Sequence, residues 1–328
     1  DVGGTFTDLV GTDDAGHVIV RKVPSTPPQF ERGVLDVIGG VLDAPSPFLR
    51  PEGGGDGDSP SLQEGEGEGR ARDVVIVSHG TTVATNAVLE RRGAKTALIT
   101  TKGFRDVLEL RRIRAPQIYD LFFDKPPIII DRHLRFELTE RVTSTGQVLA
   151  PVNEKELKCI RDVLVREDVE SVAVCLLHSY AYPQHEQMVG RFLARNMPGI
   201  PVSLSFEVLR QRREYERTAT TAVNAYVRPV MRRYLNALQE GLNSIGIDAP
   251  LLMMQSAGGL TPADDAARRP VYVLESGPAA GALAAGWIAT ATGTRNVISL
   301  DMGGTTAKAS IIEDGQMEYS AEHEVGSA

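Results

Sequence analysis

The sequence predicts an α/β protein in which mixed sheets are flanked by helices, and three observations carry this. Short apolar runs bounded by turn residues, such as 97–100 and 172–177, read as buried strands. Amphipathic stretches of helical period lie between them, and the order strand–turn–helix–strand implies a mainly parallel sheet. The pattern Asp-x-Gly-Gly-Thr also occurs twice, as Asp1-Val2-Gly3-Gly4-Thr5 and as Asp301-Met302-Gly303-Gly304-Thr305. Each copy belongs to a β-like run that continues into another.

In chain order, residues 1–10 read as a buried strand, Asp13-Asp14-Ala15-Gly16 as a turn and 17–23 as a second strand. Pro27-Pro28 opens a helix with Phe30, Val34, Ile38 and Val41 near one face. Residues 50–72, rich in Gly and Glu, have almost no apolar side chains to offset ordering entropy and read as a disordered insertion. An apolar strand at 74–77 ends at Ser78-His79-Gly80-Thr81-Thr82, and a helix then runs to Arg92, with Gly93 at C′. Residues 103–112 read as helix, and 128–130 and 134–138 as strands.

Asn153 and Glu156 make a capping box for a helix whose buried face is Leu157, Ile160 and Leu164. Residues 202–206 form a strand, and 215–245 the longest helix, broken or kinked at Pro229 and closed by Gly246. After a strand at 251–254 comes a small-residue helix, 279–289. Its Gly281, Ala285 and Ala289 share a face open to close packing. Strands at 296–300 and 309–312 enter and leave the second Gly-Gly-Thr loop.

Composition excludes several classes of function. The 328 residues carry a net charge of −8 with both signs interspersed, whereas a nucleic-acid surface needs a basic face. Arg210-Gln211-Arg212-Arg213 is balanced by Glu214 and Glu216 and reads as a solvated helix start. No apolar run is long enough to span a bilayer, and no signal-peptide pattern opens the chain. Cys159 and Cys175 read as buried free thiols in a reducing compartment, the cytosol. The chain opens at Asp1, inside a motif and without methionine, and so reads as a fragment.

The repeated motif suits a phosphate chain and its metal. Glycines let backbone N–H groups approach a ligand closely, threonine adds a hydroxyl, and aspartate holds a cation or a water. The order of first loop, small-residue helix beginning Glu275-Ser276-Gly277-Pro278, strand and second loop resembles the actin/sugar-kinase/heat-shock ATPase superfamily. There, two ribonuclease-H-like domains clamp a nucleotide between hairpins called phosphate 1 and phosphate 2, with a helix called connect 1 between them.

Within that superfamily the chain is similar to the hydantoinase A/oxoprolinase family. The residues that carry this are Asp1-Val2-Gly3-Gly4-Thr5-Phe6-Thr7-Asp8, Ser78-His79-Gly80-Thr81-Thr82-Val83-Ala84-Thr85-Asn86 and Thr101-Lys102-Gly103-Phe104-Arg105-Asp106. Tyr119-Asp120-Leu121-Phe122, Glu214-Tyr215-Glu216-Arg217-Thr218-Ala219-Thr220 and Asn224-Ala225-Tyr226-Val227 follow in the family's order. The resemblance implies an actin-like ATPase fold. It implies residues 1–200 as an N-terminal region, 201–328 as the start of the hydantoinase A region, and a second, incomplete ATPase domain beginning near 294.

Members of that family couple ATP cleavage to the opening of a cyclic amide, 5-oxoproline or a hydantoin. Phosphorylating the amide oxygen makes an imidate-like carbon, with phosphate as leaving group, that water can attack. On this reading Gly3, Gly4, Thr5, Thr7, Gly303, Gly304, Thr305, Thr306 and Lys308 bind the nucleotide phosphates. Asp1 and Asp301 hold Mg²⁺ or Mn²⁺, and Asp8, Asp301 and Glu275 serve catalysis. His79, Thr81 and Thr82 touch the ring substrate at the carboxyl edge of a sheet.

For Glu275 the alternative is a carboxylate answering a helix dipole, and for Lys308 a pair with a neighbouring acid. His178 holds a position like that of His79, while His17, His133 and His185 read as surface residues. No spacing resembles a zinc site, and Ser256 lacks a nucleophile-elbow context. The implied partners are the ring substrate and a B-type subunit or fused region, in an oligomer. Competing readings are a ketone-carboxylase subunit and an ATPase or kinase without amidase chemistry. The fragment by itself is expected to be inactive, its adenosine-binding part lying downstream.

Overall fold

The computed structural model describes residues 1–14, 16–42, 74–112, 127–302 and 307–317. The Gly/Glu-rich stretch 50–72, the motif 119–122 and Gly303-Gly304-Thr305-Thr306 lie outside these residues.

Strands β1 (Phe6–Thr12) and β2 (Val18–Pro24) form an antiparallel hairpin closed by the predicted turn. The first strand starts later than expected and is not buried along its length, since Phe6 and Val10 are exposed. Helix α1 (Phe30–Leu42) buries Val34, Val37 and Ile38; of the expected face Val34 and Ile38 are buried, whereas Phe30 and Val41 are half-buried. Strand β3 is Val77–His79; the apolar residues before it, Val75 and Ile76, are exposed, so hydrophobicity by itself placed the strand too early.

Helix α2 (Val83–Leu89) ends before the expected Arg92, with Arg91 in the left-handed region at φ 56°. Gly93 has a different task from a C′ glycine. A Cβ there would lie 2.1 Å from the Tyr226 ring, so glycine is required by close approach.

Strand β4 (Thr96–Thr101) is buried along its whole length. It is followed by the short helix α3 (Val107–Leu110), a 3₁₀ turn at Arg132–Leu134 and strand β5 (Arg135–Leu138). Residues 128–130 are not strand, although Ile130 is buried. Strands β6 (Arg141–Val142) and β7 (Val148–Ala150) make a small hairpin.

Helix α4 (Glu154–Arg166) is capped by the Asn153 side chain, which accepts from the Lys155 and Glu156 N–H groups. The Glu156 carboxylate does not complete the box. It accepts from the Thr139 N–H and hydroxyl instead, tying the helix to the end of β5.

Strand β8 (Ser171–Cys175) is wholly buried, and helix α5 (Gln184–Asn196) leads to β9 (Val202–Leu204). Ser205–Val208 turn into helix α6 where strand was expected. Helix α7 (Glu214–Ser244) runs through Pro229 without a break in its helical assignment. Strands β10 (Leu251–Met254) and β11 (Leu260–Pro262) form a hairpin, followed by α8 (Ala263–Arg268) and a 3₁₀ turn, Pro270–Val273. Helix α9 (Ser276–Thr292) then delivers β12 (Val297–Met302), β13 (Ala307–Glu313) and β14 (Gln316–Met317).

These elements fall into two units. One comprises Asp1–Thr85, Met231–Ala267 and the described part of Tyr272–Glu322; the other Asn86–Val230 and Arg268–Val271. The first holds three sheets: the β1–β2 hairpin, an order of β11-β10-β3, and an antiparallel order of β12-β13-β14. Within the second sheet β3 runs parallel to β10, with Met253 opposite His79.

The second unit is built on an all-parallel sheet ordered β5-β4-β8-β9. Its core gathers Leu98, Ile99, Leu138, Leu157, Leu164, Val174 and Leu193, each stabilising the fold by about 1.5–3 kcal/mol through burial. A polar seam accompanies that core. Glu186 is buried and accepts from the Leu176 N–H, the Ser205 hydroxyl and the Phe206 N–H, and burial pushes its pKa up.

His185, read from sequence as a surface residue, is buried with its Nδ1 2.6 Å from Glu140 Oε2. Buried Arg217 donates to the Leu176 carbonyl at 2.9 Å. Of the two thiols only Cys175 is buried; Cys159 lies on the outer face of α4.

Candidate functional site

The first Gly-Gly-Thr stretch folds as a turn within the first unit. The Gly3 N–H donates to the Phe6 carbonyl at 2.9 Å, and Val2 bridges Thr7 antiparallel. Gly4, Thr5 and Phe6 form its exposed apex, whereas Thr7 is buried, its hydroxyl 3.1 Å from that of Ser25. Ser25 braces the turn from beneath. Its hydroxyl donates to the Gly3 carbonyl at 2.7 Å and its N–H to the Thr5 carbonyl at 2.9 Å.

The start of this loop is stitched to the turn after β3. The Val2 N–H donates to the Gly80 carbonyl at 3.0 Å, and the Thr82 N–H returns to the Val2 carbonyl at 3.0 Å. A Cβ on Gly80 would sit 2.9 Å from Asp1 Oδ1, and one on Gly277 3.7 Å from both carboxylate oxygens. The Asp1 carboxylate therefore occupies a seat made by two missing side chains. One belongs to the turn and the other to the first turn of α9.

The same turn holds the start of α9. The Thr81 N–H donates to Ser276 Oγ at 3.2 Å, and that hydroxyl donates to the Thr81 carbonyl at 3.2 Å. Thr81 Oγ1 accepts from the Val83 N–H, which caps α2, and Thr82 Oγ1 donates to the Val2 carbonyl. Glu275 precedes α9 in a left-handed conformation, φ 61°, with its N–H on Thr85 Oγ1 at 3.2 Å. A non-glycine residue held there is a strained position of the kind found at functional sites.

The Glu275 carboxylate pairs with the Lys308 ammonium, and desolvation lowers the Lys308 pKa. Asp301 stands opposite Lys308 in the β12–β13 register and is exposed. The Asp8 N–H donates to the Asp1 carbonyl at 2.9 Å, while its carboxylate pairs with Lys22 at 3.0 Å, an exposed bridge of small energetic consequence.

His79 closes β3 rather than following the strand, and its ring is buried with Nε2 2.6 Å from the Tyr234 hydroxyl. Burial pulls its pKa down to about 3, so the imidazole is neutral at ordinary pH. His178, at φ 58°, places Nδ1 3.5 Å from the Tyr180 hydroxyl in the second unit. A cavity of about 590 Å³ in that unit is lined by Val107, Leu110 and Tyr215 among others, and by none of the predicted site residues.

Sequence reasoning missed Gly80, Tyr234, Ser276 and Gly277 as parts of this cluster. The Gly277-Pro278 pair was visible as a helix start. Tyr234 sits in an apolar stripe with Met231, Leu235 and Leu238, so its pattern signals core and nothing more.

This fold, with a Gly-Gly-Thr turn seated against the start of a small-residue helix, defines an actin-like ATPase architecture. Two family models, the hydantoinase/oxoprolinase N-terminal region and hydantoinase/oxoprolinase, match residues 1–197 and 217–328. The chain belongs to the hydantoinase/oxoprolinase family.

It is 32% identical to caprolactamase subunit alpha of Pseudomonas jessenii, over 98% of this chain and 44% of that protein. The crystal structure of the ATP-dependent caprolactamase from that organism superimposes with a TM-score of 0.79 at 32% identity, covering 95% of this chain and 43% of the other. The 5-oxoprolinase of Saccharomyces cerevisiae is 32% identical over 97% of this chain and 26% of its own length. A nucleotide-free acetone carboxylase structure, at 24% identity, shares the fold with a TM-score of 0.78 over 96% of this chain and 43% of its own. The chain thus spans less than half the length of these relatives.

Among the described residues no helix is long and apolar enough to cross a membrane.

Proposed function

We propose that the intact protein spends ATP to open a cyclic amide, of the 5-oxoproline, hydantoin or lactam kind. The observation that carries this is the seat of the Asp1 carboxylate between Gly80 and Gly277, beside the strained Glu275 and at the base of the open Gly4-Thr5 apex. That arrangement offers backbone N–H groups, a hydroxyl and acid oxygens to a polyphosphate. The relatives named caprolactamase and 5-oxoprolinase give the ring chemistry.

In this reading Gly3, Gly4, Thr5 and Thr7 belong to one phosphate turn, with Gly303, Gly304, Thr305, Thr306 and Lys308 as the facing one. Among the described residues no group of three or more His, Cys, Asp or Glu side chains could hold a metal. On this reading a cation would rest on Asp1 and Asp301 and take its remaining oxygens from phosphate and water, which fits the hard cations Mg²⁺ or Mn²⁺. Bound there, it would neutralise charge on the β and γ phosphates.

The chemistry balances with two waters. The ring amide oxygen takes the γ-phosphoryl group and ADP leaves, giving an electrophilic O-phosphoimidate carbon. Water adds to that carbon, the C–N bond breaks with the nitrogen leaving as amine, and an acyl phosphate remains. A second water releases phosphate and the free carboxylate. Asp8, Asp301 and Glu275 are the acids available to accept water protons, and orientation is the main contribution of the site. Of the residues expected to touch a ring, half-buried Thr82 is the one left to face it, while Thr81 and His79 are buried and support the turn from beneath. A B-type subunit or fused region completes the enzyme on this proposal, in an oligomeric assembly.

The test is to incubate full-length protein with ATP and each ring and to follow ADP and the opened product together. Ring-dependent release of both is expected. ADP release that needs bicarbonate and a ketone would make the protein a carboxylase, and ring-independent release would remove the amidase reading.

A further inference from the structure

We infer that Tyr234 is a positioning residue of the nucleotide site, acting through His79 on the turn that seats the Asp1 carboxylate. This rests on the proposed reading of residues 1–8 as a phosphate loop.

Tyr234 lies on the part of α7 that belongs to the first unit and is 6% exposed. Its neighbours along the buried stripe, Met231, Leu235 and Leu238, are apolar, so packing alone would be met by phenylalanine. The hydroxyl nevertheless takes a polar partner at the end of β3. His79 Nε2 stands 2.6 Å away. Burial keeps the His79 imidazole neutral and pushes the Tyr234 pKa up, so neither group carries a charge. Their role is orientation rather than proton transfer. The hydroxyl clamps His79, the residue that leads directly into Gly80.

Gly80 is where the clamp meets the site. Its carbonyl receives the Val2 N–H, its missing Cβ leaves room for Asp1 Oδ1, and Thr81 is bonded twice to Ser276 at the start of α9. A small rotation of residues 79–82 therefore moves the Asp1 carboxylate relative to Gly277 and Glu275. Displacements of about 1 Å at a reacting centre can cost about a hundredfold in rate.

The experiment compares wild type with Tyr234→Phe in the full-length protein, reading kcat, KM for the ring, the Mg²⁺ concentration for half-maximal rate, and the melting temperature. Expected for Tyr234→Phe are a kcat lowered about ten- to a hundredfold, a ring KM within about twofold, a several-fold higher Mg²⁺ requirement and near-normal melting. Unchanged kcat with unchanged Mg²⁺ requirement overturns the inference. Should Tyr234→Phe not fold, the pair His79→Gln and His79→Leu reads the same clamp. The glutamine amide can still reach the hydroxyl and is expected to keep most turnover, which leucine loses; equal loss in both overturns it. A wild type that opens no ring removes the proposed function instead. The clamp is then read by calorimetry of ATP with Mg²⁺, where Tyr234→Phe must still weaken binding several-fold.

Discussion

The Lys308 ammonium is paired with the Glu275 carboxylate, joining the second hairpin strand to the left-handed residue that starts α9. Both side chains are largely shielded, at 28% and 16% exposure, so removing either would leave the other charge poorly compensated. Of the two roles open to Lys308 from sequence, an acid partner is the one present in the structure.

Removing the lysine should leave Glu275 as an uncompensated negative charge facing any incoming phosphate. Lys308→Ala in the full-length protein is expected to weaken ATP about tenfold, or about 1.4 kcal/mol, with Glu275→Gln in the same background recovering part of the loss. Calorimetric titration decides, and unchanged affinity in the single variant would sink the idea.

Gly80→Ala should separate function from folding. The added methyl would sit 2.9 Å from Asp1 Oδ1, the free end of a flexible side chain that can swing away. Melting should change little while ATP-dependent turnover falls about a hundredfold, because the carboxylate leaves its seat. A variant that keeps full activity would show that the seat has no catalytic meaning.

His79 makes a signed prediction about acid stability. Its pKa is about 3 in the fold, against 6.5 as an ordinary histidine, because burial disfavours the charged ring. Between those values the unfolded chain binds the extra proton, so this group's stabilisation is present above pH 6.5 and is lost as pH falls. The loss should approach about 1.4 kcal/mol per pH unit below that point. Denaturant titrations at pH 7 and pH 5.5 should show the drop in wild type and a smaller one in His79→Gln. Equal slopes would refute it.

Two glycines should respond oppositely to alanine. At Gly93 the methyl would press into the Tyr226 ring, and destabilisation of about 1–3 kcal/mol or more is expected. At Gly281, within α9, nothing lies within 4 Å, so Gly281→Ala should be neutral or stabilising by about 0.5–1 kcal/mol. Thermal melting of both variants checks the pair. Of the expected close-packing face, Ala289 is buried, but a Cβ at Gly281 would meet nothing among the described residues.

Much of this was legible because local patterns carry it. The face of α4, the β1–β2 turn, the buried strands β4 and β8 and the small-residue helix α9 all follow from period, turn chemistry and chain order. Errors came where burial depended on distant partners. Val75 and Ile76 are apolar but exposed, and His185 is polar but buried against Glu140. Glu156 found Thr139 instead of its own helix start. No local period reports such pairings.

The sequence by itself determined the repeated Asp-x-Gly-Gly-Thr pattern, the order of loops around a small-residue helix and the resemblance that the family comparisons confirm. These depend on residue type and spacing along the chain. Only the tertiary structure decided that Asp1 rests between Gly80 and Gly277, that Lys308 answers Glu275, and that Tyr234 reaches His79 across 155 residues. Each of those is a contact between segments far apart in sequence, set by how helices and sheets pack. Side-chain identity permits such contacts, but the packed backbone selects among them.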